Sequence, residues 1–198
     1  MTITYPIGDS LYVNVTNRCT NNCDFCIRHT PSGVGDVDLW LEREPTRDEI
    51  YRSIENNDLT KYKEIVFCGY GEPGYRIDDI VYVSRKIKET HDITIRINTN
   101  GHADKIAGRE TAPSMQGCID VLSISLNASD AEKYNDICKC AFGTDGFYEM
   151  LEFAKKAKKY VPRVILSVVD VIGDDEIEKC RKVCESVGCE YRVRNYSE

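Results

Sequence analysis

A chain of 198 residues is long enough for one domain with a sizeable core and short for a complete eight-stranded α/β barrel, so 1–198 is read as a single domain. Its 41% hydrophobic and 30% charged residues are ordinary for a globular protein; no apolar run approaches the roughly 20 residues that span a bilayer, and Met1–Ser10 lacks the basic-then-apolar pattern of a secretory signal. The expectation is a cytoplasmic protein with no membrane association, whose ten cysteines stay reduced unless they bind metal, and whose net charge of −7 argues against a phosphate-backbone partner.

Six short apolar, β-branched runs punctuate the chain, and five helical segments separate them. The first run is Leu11–Val15. A helix starts near Thr46, where Thr46-Arg47-Asp48-Glu49 approximates a capping box. The second run, Glu64–Cys68, ends in Gly69-Tyr70-Gly71-Glu72-Pro73. It leads to a helix over about Ile77–Thr90, with Ile77, Ile80, Val81, Ser84 and Ile87 on one face. The third run, Ile93–Ile97, enters Asn98-Thr99-Asn100-Gly101 and a short helix around Ala103–Arg109. The fourth, Val121–Leu126, closes in Asn127-Ala128, and the helical region after Asp130 breaks near Gly143 before resuming at about Gly146. The fifth, Val164–Val169, leads through Asp170-Val171-Ile172-Gly173 to a helix with Ile177, Cys180, Cys184 and Val187 on one face. The sixth is Tyr191–Val193. Such alternation predicts an α/β fold of parallel strands joined by right-handed crossovers, with ligands at the strand carboxyl ends. An open doubly wound sheet satisfies the same pattern.

Every unusual motif lies just after a predicted strand. The first is Cys19-Thr20-Asn21-Asn22-Cys23-Asp24-Phe25-Cys26, a C-x3-C-x2-C spacing whose short loops let the sulfurs converge on one metal centre. A [4Fe–4S] cluster usually takes four cysteines, so three leave one iron open to another ligand. His29 keeps a second reading available, a closed Cys3His zinc site with Cys19, Cys23 and Cys26 in a non-catalytic interaction module. In the Gly69–Pro73 turn, glycine permits close approach of a ligand to the backbone and Glu72 offers a carboxylate to a cation. Ser123, Ser125 and Asn127 fall on one side of their strand, and Arg194 ends the last run as a bidentate donor. Cys180 and Cys184 share an apolar helix face, where cysteine acts as a small hydrophobe.

The triad, with Phe25 just before its last cysteine, resembles the radical SAM superfamily. The resemblance extends over nearly the whole chain and implies a partial (β/α)6 TIM-type barrel. It implies a cluster on Cys19, Cys23 and Cys26, with S-adenosylmethionine (SAM) chelating the fourth iron. Reductive cleavage of SAM then yields a 5′-deoxyadenosyl radical that abstracts hydrogen from a substrate not identified by the sequence. Gly71 and Glu72 resemble the family's Gly-Gly-Glu turn, with Tyr70 in place of the first glycine; backbone and carboxylate there hold the methionine ammonium. Asn98 stands where several members carry an acid that binds near the SAM amino group or ribose. Ser125 and Asn127 match polar strand-end residues that hold the SAM ribose and carboxylate. Val169–Glu176 resembles the segment G-x-I-x-G-x-x-E, in which Val171 packs on adenine; Phe25 is a second adenine neighbour. The runs Ser125–Ala128 and Tyr134–Cys138 resemble the TatD-associated radical SAM proteins, which implies association with a TatD-type nuclease. A reducing partner such as flavodoxin or ferredoxin is implied as well. Arg194 is the expected anchor for an anionic substrate group. Glycyl-radical activating enzymes combine the same cysteine spacing with a similar third-strand turn.

Overall fold

In the computed structural model, which describes residues 1–29, 34 and 37–196, six strands lie where the β-branched runs predict them and one more precedes them. The strands are β1 (Thr4–Ile7), β2 (Ser10–Val13), β3 (Glu64–Phe67), β4 (Thr94–Thr99), β5 (Val121–Ser125), β6 (Arg163–Val169) and β7 (Glu190–Arg194). The helices are α1 (Arg47–Glu55), α2 (Ile77–Lys88), α3 (Ala103–Ala107), α4 (Ala131–Cys138), α5 (Asp145–Ala157) and α6 (Asp174–Val187). One sheet runs in chain order from β1 to β7, with β1 antiparallel to β2 and every other neighbour parallel. The parallel strands β2–β7 form the partial (β/α)6 barrel. Among the described strands no pair joins β7 back to β1, so the barrel stays open on that side. The hydrophobic pattern misses β1 because Pro6 interrupts it. Proline removes a ladder donor and is tolerated at an edge, which is where β1 lies.

Strand alternation divides the molecule into two environments. On β4, Ile95 and Ile97 enter the core beneath the helices, whereas Arg96 and Asn98 line cavities on the inner face. Ile65 and Phe67 of β3, and Val164, Leu166 and Val168 of β6, join the same core. Their alternates Glu64, Ile165 and Val169 face inward. Helix α2 buries the predicted Ile77, Ile80, Val81, Ser84 and Ile87, and α1 begins with the predicted capping box between Thr46 and Glu49. Cys180 and Cys184 of α6 are fully buried as core residues.

The inner face opens at both ends of the strands. A cavity of about 610 Å³ at the amino-terminal mouth is rich in charge, and among the described residues all but Arg192 of its charged lining residues are paired: Lys63–Asp9 at 2.5 Å, Arg96–Glu64 at 2.8 Å and Arg163–Glu190 at 2.7 Å. The motifs lie at the carboxyl-terminal mouth.

Candidate functional site

The cysteine loop leaves β2 and is clamped from two directions. On one side Asn22 N donates to Cys138 O at 2.9 Å, Asp24 N to Ile137 O at 3.1 Å and Ala141 N to Thr20 O at 2.7 Å, docking the loop on the end of α4. On the other side lies Gly71. A Cβ there would stand 2.2 Å from Thr16 O and 2.7 Å from Arg18 O, and Glu72 N donates to Arg18 O at 2.7 Å. Gly71 is therefore required by the chain's own backbone, where the sequence reading assigned the close approach to a ligand.

A buried chain of hydrogen bonds lies behind the loop. His102 is fully buried; its Nε2 donates to Gly146 O at 2.9 Å, since a carbonyl can only accept. Nδ1 is then the acceptor for the Thr20 hydroxyl at 2.9 Å, and Thr20 Oγ1 accepts from Asn100 Nδ2 at 2.7 Å. Burial pulls the imidazole down to about 4, with the Gly146 carbonyl opposing, so His102 is a neutral strut. Asn21 Nδ2 donates to the buried Tyr134 hydroxyl at 3.0 Å. Sequence reasoning missed these residues, because their partners are distant in the chain and no motif joins them.

One cavity at the strand carboxyl ends brings together Cys19, Cys23 and Cys26, with Phe25, Tyr70, Gly71, Glu72, Asn98, Ser125, Asn127 and Arg194. Val171 is the exception. It is 50% exposed on the 3-10 turn Asp170–Ile172, and Val169 lines the cavity instead. The turn begins immediately after the strand and carries Val171 outward, so the last inward position is Val169, in register with Arg194. Glu176, at the other end of that segment, pairs with Lys133 at 2.8 Å and accepts from Ser129 N at 2.8 Å, bracing α6 against α4.

Glu72 holds three protein donors and keeps an acceptor position on Oε2 at the cavity wall. Oε1 accepts from Gly74 N at 2.7 Å and Thr99 Oγ1 at 2.5 Å, and Oε2 accepts from Asn100 N at 2.7 Å. Burial raises its carboxyl against these three donors. It ties the turn after β3 to the end of β4 while facing the cavity. Other groups on the wall are less provided for. Asn21 Oδ1, Asn98 Oδ1, Asn127 Oδ1 and Arg194 Nε are buried without a protein hydrogen-bond partner. Arg194 reaches Ser125 Oγ at 3.4 Å, and among the described residues no carboxylate pairs with it. Asn127 adopts φ of +58°, the left-handed region.

The ten cysteines are free. Burial and then Glu72 push the Cys19 thiol up to about 12, and the adjacent Cys138 thiol followed by burial pushes Cys23 far upward; Arg28 opposes both. Among the described residues no three His, Cys, Asp or Glu side chains converge as a ligand set. The donor chemistry nevertheless fits a thiolate-bound metal centre: three partly buried free thiols share a wall, facing orphaned amide oxygens that suit an organic ligand beside the metal.

A parallel partial barrel whose strand ends carry a three-thiol loop and partnerless polar atoms defines a cofactor-binding α/β protein. The sequence profile of the Radical SAM superfamily matches residues 13–184, and the chain belongs to that superfamily. Membership implies an iron–sulfur cluster and SAM. The chain is 22% identical over 194 residues to GTP 3′,8-cyclase of Aliarcobacter butzleri (strain RM4018), covering 96% of this chain and 56% of the cyclase. It is 28% identical over 173 residues to GTP 3′,8-cyclase of Staphylococcus aureus (strain bovine RF122 / ET3-1), covering 87% and 49%. It thus spans about half the length of these curated relatives. Among solved structures, Streptococcus suis SuiB bound to the precursor peptide SuiA superposes with a TM-score of 0.72 at 18% identity, covering 96% of this chain and 40% of that one. A radical SAM methyltransferase from Sphaerobacter thermophilus gives a TM-score of 0.65 at 16% identity, covering 97% and 68%. These structures share the fold.

Proposed function

We propose that the protein is a radical SAM enzyme with a single [4Fe–4S] cluster on Cys19, Cys23 and Cys26. The observation that carries this reading is that the three thiols and the orphaned oxygens of Asn21, Asn98 and Asn127 share one cavity. The chemistry such a cofactor pair supplies is one-electron cleavage of SAM to a 5′-deoxyadenosyl radical. The protein's own contribution is to place the groups. The His102–Thr20 strut holds the loop, and Arg28 favours the thiolate forms of Cys19 and Cys23. Asn127, Ser125 and Asn98 present hydrogen-bonding groups to SAM, with Phe25, Tyr70 and Val169 as apolar walls. Arg194 receives an anionic group of the substrate; the curated relatives act, by name, on GTP, which is an anion. The runs Ser125–Ala128 and Tyr134–Cys138 support a place among the TatD-associated proteins, with a TatD-type nuclease as associate, flavodoxin or ferredoxin as reductant and the cytoplasm as setting.

The test is anaerobic reconstitution with iron and sulfide, followed by metal analysis and assay of 5′-deoxyadenosine from SAM under dithionite. Wild type is expected to bind a four-iron cluster and form 5′-deoxyadenosine; Cys19→Ala, Cys23→Ala and Cys26→Ala are each expected to do neither. Zinc in place of iron, with no SAM cleavage, would overturn the reading.

A further inference from the structure

Among the described residues, Cys68 is the one cysteine outside the 19–26 loop that lines the cavity at the strand carboxyl ends. Its backbone is pinned at both ends: the amide donates to Val13 O at 3.0 Å, and the carbonyl accepts from the Tyr5 hydroxyl at 3.2 Å. Strand alternation turns the side chain inward, opposite Phe67 in the core. Asn98 and the Arg194 guanidinium are its polar neighbours there. Burial pushes the Cys68 thiol up and these two groups only partly oppose it, so the sulfur keeps its hydrogen at neutral pH.

A second feature of the same wall points to a bound molecule. Asn127 and Asn21 are only 3% and 7% exposed, and the Oδ1 atom of each has no protein donor. A buried amide oxygen without a donor is costly, so the cavity is built to receive a ligand that supplies one. Cys68 thus faces the space where a ligand lies, beside the guanidinium that suits its anionic end.

We infer that Cys68 is a catalytic hydrogen-atom donor, giving its sulfur-bound hydrogen to a carbon radical formed in this cavity. The S–H bond breaks and a C–H bond forms; the carbon radical is reduced and the sulfur becomes a thiyl radical. Transfer in this direction is downhill because the S–H bond is weaker than the C–H bond that replaces it. One electron from the reductant that serves the cluster, a flavodoxin- or ferredoxin-class protein or dithionite in vitro, and one proton from water restore the thiol. An alcohol O–H bond is too strong for the same step, so serine is an isosteric control. This role for Cys68 rests on the radical chemistry proposed above, and the test separates the two.

In the metal-free protein, N-ethylmaleimide with peptide mapping should label Cys68 faster than the core residue Cys184. Equal protection of both would overturn the inference without touching the cluster. Reconstituted wild type and Cys68→Ser are then given SAM and dithionite in deuterium oxide, where thiol hydrogen exchanges, with no substrate present. The 5′-deoxyadenosine from wild type should be one mass unit heavier, and whatever Cys68→Ser forms should lack that deuterium. Undiminished deuterium in the serine variant would assign the transfer to another group, such as a tyrosine hydroxyl, and sink the role of Cys68. Absence of 5′-deoxyadenosine from wild type would instead overturn the radical SAM reading, and this inference with it.

Discussion

At Asn127 two requirements meet. Its left-handed backbone is tolerated by asparagine better than by alanine, and its Nδ2 is engaged with Cys138 Sγ at 3.8 Å, which leaves Oδ1 for a bound molecule. Asn127→Gly keeps the backbone free of strain and deletes the amide. SAM affinity should fall roughly twofold to tenfold, the value of a hydrogen bond from a neutral ribose hydroxyl at about 0.5–1.5 kcal/mol, with iron content unchanged. Unaltered affinity in a calorimetric titration would remove Asn127 from the site. Glu72 is expected to behave differently, since its carboxylate holds three protein donors. Glu72→Ala should destabilise the metal-free protein by at least ~2 kcal/mol in urea, because it strands buried donors; a loss below ~1 kcal/mol would show the bracket to be dispensable. His102 makes a pH-dependent contribution. Its folded value of about 4 lies below the ordinary 6.5, so the unfolded chain takes the proton first. The stability it confers is complete above pH 6.5 and is lost as the pH falls towards 4, by on the order of 3 kcal/mol. The difference in unfolding free energy between wild type and His102→Asn should shrink across that window. A difference independent of pH would contradict the neutral-strut account.

Among the elements, α6 and β1 show the limits of pattern reading from opposite sides. The spacing of Cys180 and Cys184 is compatible with a metal site in principle, yet the apolar face of α6 predicts packing residues, and both lie fully buried in the core. Replacing both with alanine should leave the iron bound per chain unchanged and cost about 1 kcal/mol for each small cavity. Substantial loss of iron from that double variant would refute the single-cluster proposal. β1 has the opposite character. Its proline hides it from the pattern, and it becomes a strand only because β2 offers an edge. The turn Asp170–Ile172 likewise looks local but is decided by where β6 ends, which is why Val169 and not Val171 faces the cavity.

At the scale of the molecule, the partial barrel has two mouths of different character. The amino-terminal one is larger, and while Arg96–Glu64 is largely buried there, its outer ion pairs, such as Arg163–Glu190 with side chains 56% and 52% exposed, are solvent-screened. Pairs of this kind contribute about 0–1 kcal/mol. Replacing Arg163 and Glu190 together with glutamine should therefore shift stability by less than ~1 kcal/mol and leave SAM cleavage at the wild-type rate. A large fall in SAM cleavage with the fold intact would mean that the amino-terminal mouth communicates with the site.

The sequence by itself determined the alternation of strands and helices, the class of fold, the three-cysteine loop and the position of most polar groups at the strand ends. These depend on periods of 2 and 3.6 residues and on spacings within one loop, which are local quantities. Tertiary structure alone decided that His102 supports Thr20 across 82 residues, that Glu72 braces the end of β4 and that Arg194 meets Ser125 across 69 residues. Each of those pairings depends on strand register and on how the partial barrel curves, and neither is set by any short stretch of chain.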